Sequence, residues 1–145
     1  MAKKRNGRQD AIRDIVRNKD VRTQRMLVEE LEQCGFECTQ ATVSRDIADM
    51  GLRKLPEGIY VLAEDLHLQR MVSELVTGVA RAQNLVIIHA QPGTASGIAA
   101  AVDAAELPDV VGSLAGNDTI LVIAQTDDDA ARLEAIISKL SRAGR

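Results

Sequence analysis

The fold of the N-terminal half is decided by the stretch TQATVSRDIADMG, which runs from Thr39 to Gly51. Thr39 suits the N-cap of a helix, and Gly51 suits its C-terminal stop. Between them Val43, Ile47 and Met50 recur at helical spacing and predict one apolar stripe. The other positions are polar or small, so the stretch predicts an amphipathic helix that packs by its apolar stripe and leaves the opposite face open.

Two more helices are predicted before this one, and a small hairpin after it. The first helix covers residues 8–18 and has an apolar stripe formed by Ala11, Ile12, Ile15 and Val16. Thr23 suits the N-cap of the second helix, and Gly35 suits its stop. Leu52–Leu62 predicts two short strands around the turn Pro56-Glu57-Gly58. Three helices and a hairpin form a winged helix-turn-helix, which we place at residues 1–66.

The second half of the chain alternates strands and helices. The predicted strands are Val72–Arg81, Leu85–Ala90, Val110–Ala115 and Thr119–Ala124. Helices are predicted from Pro92-Gly93 to about Ala105 and from about Asp128 to Leu140. The order ββαββα predicts an α+β sandwich, in which a four-stranded antiparallel sheet carries two helices on one face. We place this domain at residues 76–145, after a linker at residues 67–75.

Charge is distributed unevenly along the chain. The formal net charge is −3, but residues 1–54 carry +3 and residues 55–145 carry −6. The first 25 residues hold 9 Lys or Arg against 3 Asp. A basic end on an acidic protein indicates a polyanion partner for that end, although a solvated basic tail has the same composition.

The composition excludes several classes of protein. Apolar residues make up 46% of the chain, which is enough for a folded core. Phe36 and Tyr60 are the only aromatic residues, so each small domain buries little surface, which favours oligomerisation. Two cysteines cannot form a disulfide framework, and no apolar run is long enough for a membrane span or a signal peptide. We therefore expect a soluble, cytoplasmic protein.

The chain has no arrangement typical of an enzyme or of a cofactor site. No Ser/His/Asp or Cys/His grouping suggests a catalytic triad, and PGTASG (Pro92–Gly97) lacks the lysine of a phosphate-binding loop. The two cysteines and two histidines do not have zinc-finger spacing. We expect neither an enzyme nor a metal or other resident cofactor.

The open face of the Thr39–Gly51 helix suits the major groove of DNA. Arginine can contact guanine in a bidentate manner, and serine or threonine can reach bases or phosphates. The residues that suit this role are Gln40, Thr42, Ser44 and Arg45. Phosphate contacts are expected from Lys3, Lys4, Arg5, Arg8, Arg53 and Lys54. An ordinary amphipathic helix with a polar outer face has the same pattern.

A second group of residues suits a small cationic ligand. Ser96 and Asp103 are seven positions apart on one predicted helix, so they share a face about 10 Å apart along its axis. Asn117 and Asp118 lie in a turn that the sheet could bring near that helix. Carboxylates gathered there would suit a guanidinium group. The alternative is ordinary hairpin chemistry at the turn and an acid near a helix end.

Three stretches resemble the motifs of bacterial arginine repressors. Thr39–Ile47 is similar to their recognition helix, and Pro92–Asp103 and Leu114–Val122 are similar to two motifs of their core domain. The resemblance implies a winged-helix domain and an α+β domain that assembles as a hexamer, a dimer of trimers. It implies L-arginine as a corepressor bound between trimers. It also implies palindromic operator DNA upstream of arginine biosynthesis genes.

The resemblance assigns roles by position. Ser44 and Arg45 match the DNA-contacting pair, Asp103 matches the acid that holds the amino group of arginine, and Asp118 matches the second acid of a Gly-Asp-Asp-Thr turn. Ala115 lies beside that turn and joins the expected ligand set. Asn117 stands where the family usually has the first Asp.

Two positions depart from the pattern of the family. The loss of a charge-assisted hydrogen bond at Asn117 is worth about 1.5–3 kcal/mol, which is roughly 10- to 100-fold in arginine affinity. Ser96 also replaces a longer polar side chain. A diverged paralogue with an altered or absent arginine response therefore stays open, as does a DNA-architectural accessory factor in recombination.

Overall fold

The computed structural model describes the backbone of residues 2–143 and the side chains of residues 7–143. The chain forms two compact units, Met1–Ala63 and Glu64–Arg145. Met1, Gly144 and Arg145, at the ends of the two predicted domains, lie outside the described residues. No helix in the part of the chain that the structure describes is long and apolar enough to cross a membrane.

The first unit contains three helices, α1 (Ala2–Asn18), α2 (Gln24–Gln33) and α3 (Gln40–Met50). The predicted caps are present at both of the later helices. The Thr23 hydroxyl accepts the Met26 N–H at 3.1 Å, and the Thr39 hydroxyl accepts the Thr42 N–H at 3.2 Å. Each bond satisfies one amide that has no partner inside its helix. Gly51 ends α3 with a φ of +68°, a conformation that strongly favours glycine.

A two-stranded antiparallel sheet follows α3. It consists of β1 (Arg53–Lys54) and β2 (Tyr60–Val61). The helix α2 packs against both α1 and α3, and β2 packs against α1. The core of this unit is aliphatic apart from Tyr60 and comprises Ile12, Ile15, Val16, Val21, Leu27, Leu31, Val43, Leu52, Tyr60 and Leu62. The β1–β2 hairpin is the wing of this domain. Three helices followed by this wing confirm the predicted N-terminal fold.

The second unit contains a four-stranded antiparallel sheet and three helices. In chain order the elements are α4 (Leu66–Leu75), β3 (Val76–Ala82), β4 (Leu85–Ala90), α5 (Ala95–Ala104), β5 (Val110–Ala115), β6 (Thr119–Ala124) and α6 (Asp127–Ala143). The strand order is β3-β4-β6-β5. The predicted α+β fold is therefore confirmed, and three of the four strands have the predicted bounds.

The two faces of this sheet differ in what covers them. All three helices pack against strands of the sheet. Successive side chains of a strand point to opposite faces, and the buried set, which includes Val86, Ile88, Ile120 and Val122, lies on the face that the helices cover. The intervening residues point to the other face and are partly or fully exposed. One apolar face of the sheet is thus uncovered within the described chain.

The predicted linker at residues 67–75 is wrong, and so is the assignment of Val72 to a strand. Both lie in α4, which packs against α5 and α6. Leu68 and Val72 are buried there at a helical spacing of four residues. Leu68, Met71, Val72 and Leu75 recur at helical spacing, so the sequence contains a signal for this helix that the strand assignment overlooks. The boundary between the units falls at Ala63 and Glu64, three residues before the predicted end of the first domain.

Candidate functional site

The open face of α3 consists of small and polar side chains. Gln40, Ser44 and Arg45 are exposed, and so are the two alanines that share this face, Ala41 and Ala48. Among the described residues Arg45 has no ion-pair partner, so its guanidinium is available to another molecule. Small neighbours on this face allow a close approach to a groove. This surface has the shape and chemistry of a recognition helix.

Thr42 lies at the edge of that face. It is half-buried, and its hydroxyl oxygen is 3.0 Å from the hydroxyl oxygen of Thr39. Both hydroxyls therefore belong to the N-cap of α3. In this structure Thr42 stabilises the first turn of the helix. A DNA contact from the Thr42 hydroxyl would compete with its hydrogen bond to the Thr39 hydroxyl.

Arg8 points into its own domain. Its Nε lies 2.5 Å from Oδ2 of Asp46 and its Nη2 lies 3.0 Å from Oδ1, so α1 is joined to α3 by a bidentate ion pair. This hydrogen bonding raises the pKa of the Arg8 guanidinium above its usual value. The predicted phosphate contact of Arg8 would have to compete with this pair.

The wing presents two cations to solvent. Arg53 and Lys54 are both exposed on β1, and the Lys54 ammonium lies 5.4 Å from the centre of the Tyr60 ring on β2. Arg22 donates a hydrogen bond of 3.1 Å to the carbonyl oxygen of Glu57, which holds the wing turn against the body of the domain. Phosphate contacts from the wing would therefore come from a hairpin that is held in place by the rest of its domain. The side chains of Lys3, Lys4 and Arg5 lie outside the described residues.

In the second unit the turn between β5 and β6 lies against the start of α5. The carbonyl oxygen of Asn117 accepts the Gly93 N–H at 3.1 Å and the Ala95 N–H at 3.3 Å. The Asp118 carbonyl accepts the Ala90 N–H at 2.8 Å. The two bonds to Asn117 cap the N-terminus of α5 with the backbone of the turn. The sequence placed these two elements near one another as a possibility, and the structure brings them into contact.

The acidic side chains of this region are exposed. The Ser113 hydroxyl on β5 donates a hydrogen bond of 2.8 Å to Oδ1 of Asp103 on α5, and the Thr119 hydroxyl donates one of 3.1 Å to Oδ1 of Asp118. Neither carboxylate has a cationic partner within the described chain. Ser96 is exposed on the first turn of α5, and Ala115 is half-buried at the end of β5. The arrangement offers two carboxylates to a cation.

Two residues of these surfaces were missed by the sequence reasoning. Asp46 is buried, and its position three residues after Val43, on the apolar side of α3, was a signal that it needed a partner. Ser113 faces α5 from an edge strand, and nothing in the local sequence indicates that contact. The pairing of Ser113 with Asp103 depends on how β5 and α5 pack.

Comparison with known proteins places both halves of the chain in one family. Residues 3–68 match the family model of the DNA binding domain of the arginine repressor, and residues 72–139 match that of its C-terminal domain. The chain belongs to the arginine repressor family. The resemblance stated from three motifs is thereby confirmed over most of the chain.

Several relatives within this family align along nearly the whole length. An arginine repressor of Thermus thermophilus is 45% identical over 149 residues, covering 95% of this chain and 91% of its own. That of Solibacter usitatus is 43% identical, covering 92% of each chain. That of Carboxydothermus hydrogenoformans is 37% identical, covering 88% of this chain and 93% of its own.

Membership of the arginine repressor family gives the functional class of this protein. Arginine repressors are transcription regulators, not enzymes. The chain is an arginine-responsive transcription repressor that binds DNA through its N-terminal domain. The predicted class of function is therefore confirmed.

Proposed function

We propose that the chain represses arginine biosynthesis genes as a hexamer built from two trimers, with L-arginine bound where subunits meet. In this proposal Arg45 and Ser44 read base edges of the operator, assisted by Gln40 and Thr42. Arg53 and Lys54 bind phosphates. Each arginine molecule is held by Asp103 and Asp118, with Ser96, Ala115 and Asn117 completing the pocket.

The observation that carries the DNA half is the exposed guanidinium of Arg45 on the open face of α3, which has no ion-pair partner among the described residues. One bidentate contact from arginine to guanine is worth about 1–3 kcal/mol of discrimination between bases. Arg53 and Lys54 would add affinity without sequence preference, because phosphates are the same in every sequence.

Exposure of the acids supports a ligand site completed by a second subunit. A carboxylate in water gains only about 0–1 kcal/mol from an exposed ion pair. Asp103 and Asp118 would therefore hold arginine weakly in a single chain, and a selective site needs most of the ligand surface to be covered. A second copy of the chain would supply that cover.

The uncovered sheet face supports assembly. One row of side chains crosses all four strands in register, from Ala80 through Ile87 and Leu121 to Leu114. All four are apolar, and Leu114 is 69% exposed. An apolar row of this kind is typical of a surface that another protein covers. We assign the face to a second copy, because a chain poor in aromatics gains core by self-association.

Light scattering, calorimetry and operator binding test the proposal together. We expect a mass close to six times the 15.7 kDa of one chain, at least when L-arginine is present. We also expect heat on titration with L-arginine and tighter binding to operators of arginine biosynthesis genes. A chain that stays monomeric would contradict the assembly. An absence of heat, with unchanged operator affinity at millimolar arginine, would contradict the ligand.

A further inference from the structure

An acid is buried in the recognition helix itself. Asp46 follows Arg45 directly in α3, yet Asp46 is only 2% exposed while Arg45 is open to solvent. Besides the bidentate ion pair with Arg8, its Oδ1 accepts a hydrogen bond of 3.3 Å from the Gln9 amide. Two consecutive residues of α1 thus hold one carboxylate of α3.

A buried carboxylate at this position is costly for a DNA-binding helix. Burial of a charge is unfavourable unless it is paired, and a negative charge near the groove repels phosphates. An apolar residue would fill the same place without either cost. The contact that Asp46 adds is directional, since the planar guanidinium of Arg8 fits a carboxylate in one geometry.

The apolar contacts of α3 do not have this directionality. Its packing side consists of Val43, Ile47 and Met50, of which only Val43 is fully buried. Aliphatic contacts resist separation but vary little with small rotations. Rotation of a helix by about 20° moves a side chain at its surface by about 2 Å, because that surface lies about 5–6 Å from the axis. Such a shift breaks hydrogen bonds to bases, which need donor and acceptor within about 3 Å.

We propose that Arg8 and Asp46 are positioning residues for operator recognition. Their ion pair fixes the rotation of α3 about its own axis, so that Ser44 and Arg45 meet base edges. This inference rests on the proposed reading of bases by Arg45. It gives Arg8 a role different from the predicted phosphate contact, and the two roles have different consequences for binding.

The variant Asp46→Asn separates the roles because they predict opposite changes. It removes a negative charge from α3 and releases Arg8 from its ion pair. If the released Arg8 binds phosphate, operator and unrelated DNA should both bind more tightly. If the pair positions α3, affinity for the operator should fall about tenfold relative to unrelated DNA, the loss expected when a base contact is weakened.

Arg8→Ala and Arg25→Ala form a matched pair of charge-removing variants. Arg25 lies on α2, is 85% exposed and forms a surface ion pair with Glu29. Removing a phosphate contact weakens both kinds of DNA alike and lowers the slope of log K against log salt by about 0.9. We expect Arg25→Ala to leave the ratio of operator to unrelated affinity unchanged. We expect Arg8→Ala to lower that ratio at least as much as Asp46→Asn does.

The measurement is fluorescence anisotropy with the full chain, L-arginine and both DNAs, at a temperature where circular dichroism shows each variant folded. Arg8→Lys replaces the other two variants in this test if they do not fold. Lysine keeps the positive charge but cannot donate two parallel hydrogen bonds to the Asp46 carboxylate. Arg8→Lys should lower the same ratio by less than Arg8→Ala would. An unchanged ratio in any folded variant of Arg8 or Asp46 overturns the positioning role.

Arg45→Ala distinguishes failure of this inference from failure of the proposed function. If Arg45→Ala also leaves the ratio unchanged, then Arg45 does not read the operator and the proposed recognition fails. If Arg45→Ala lowers the ratio while the Arg8 and Asp46 variants do not, only the positioning role fails.

Discussion

Two aspartates, one on α3 and one on α5, differ in whether the chain itself supplies them with a cationic partner. Asp46 on α3 is buried and held by Arg8 and Gln9. Asp103 on α5 is exposed, and one hydroxyl, that of Ser113, donates to it. The first acid already has a cation, and the second has none among the described residues.

The difference concerns where each surface is completed. The proposed recognition surface is built within a single domain, because its helix is capped by Thr39 and joined to α1 through Asp46. The proposed ligand surface has its acids in place but lacks a cover within the described chain. A DNA-reading surface gains from a rigid helix that meets DNA in one orientation, whereas a site for a regulatory ligand must be able to open.

The largest effect that we expect comes from Arg45→Ala. Loss of a bidentate contact costs about 1–3 kcal/mol at each half-site, so a palindromic operator should bind roughly 30-fold to 20 000-fold more weakly. Oligomeric mass should not change, because α3 belongs to the first unit. Operator titration and light scattering check both points. Arg132→Ala removes the same charge from the second unit and should leave operator affinity nearly unchanged, and equal losses in the two variants would remove Arg45 from the recognition role.

The next largest effect tests the proposed ligand surface on the second unit. We expect Asp118→Ala to weaken arginine binding by roughly 10- to 100-fold, because a charge-assisted contact is lost. Asn117→Ala should weaken it less, since Asn117 holds the start of α5 through its backbone carbonyl, which alanine retains. Calorimetry with L-arginine measures both. The reverse ranking would show that Asn117, rather than Asp118, faces the ligand.

A gain of affinity is expected from Asn117→Asp. This change adds a second negative charge at the turn, next to that of Asp118. A charged acceptor strengthens a hydrogen bond to guanidinium, so arginine should bind roughly tenfold more tightly. Asn117→Ser, which adds no charge, is the control in the same titration. Equal affinities of these two variants would mean that position 117 does not contact the ligand.

The smallest effect is expected from Thr39→Ala, which removes the cap of α3. The free energy of unfolding should fall by about 1 kcal/mol, as is typical for an N-cap threonine. Thr39→Ser keeps the hydroxyl and should be nearly neutral. Thermal or urea unfolding followed by circular dichroism compares them. If serine and alanine destabilise equally, the hydroxyl bond to the Thr42 amide does not stabilise the helix.

Local rules were sufficient for most of the elements. The caps Thr23 and Thr39 and the stop Gly51 lie where the sequence predicts them, because each acts on amides or dihedral angles within a few residues. The strands β4, β5 and β6 also have their predicted bounds, since an alternating or continuous apolar run between turn residues is a local signal. The segment before β3 is assigned wrongly although its apolar residues Leu68, Met71, Val72 and Leu75 follow helical spacing, because Val72 is assigned to the start of the next strand.

The sequence by itself determined the two domains, their order, the exposed face of α3 and the motifs that belong to the arginine repressor family. Tertiary structure alone decided which charges are already paired. Arg8 and Asp46 are 38 positions apart and Asp103 and Ser113 are ten apart, and in both cases packing brings the partners together. Periodicity tells which side of a helix is buried, but it carries no information on what the buried side meets. For that reason the sequence predicts Arg8 among the DNA contacts, and the structure shows it in an ion pair with Asp46 of α3.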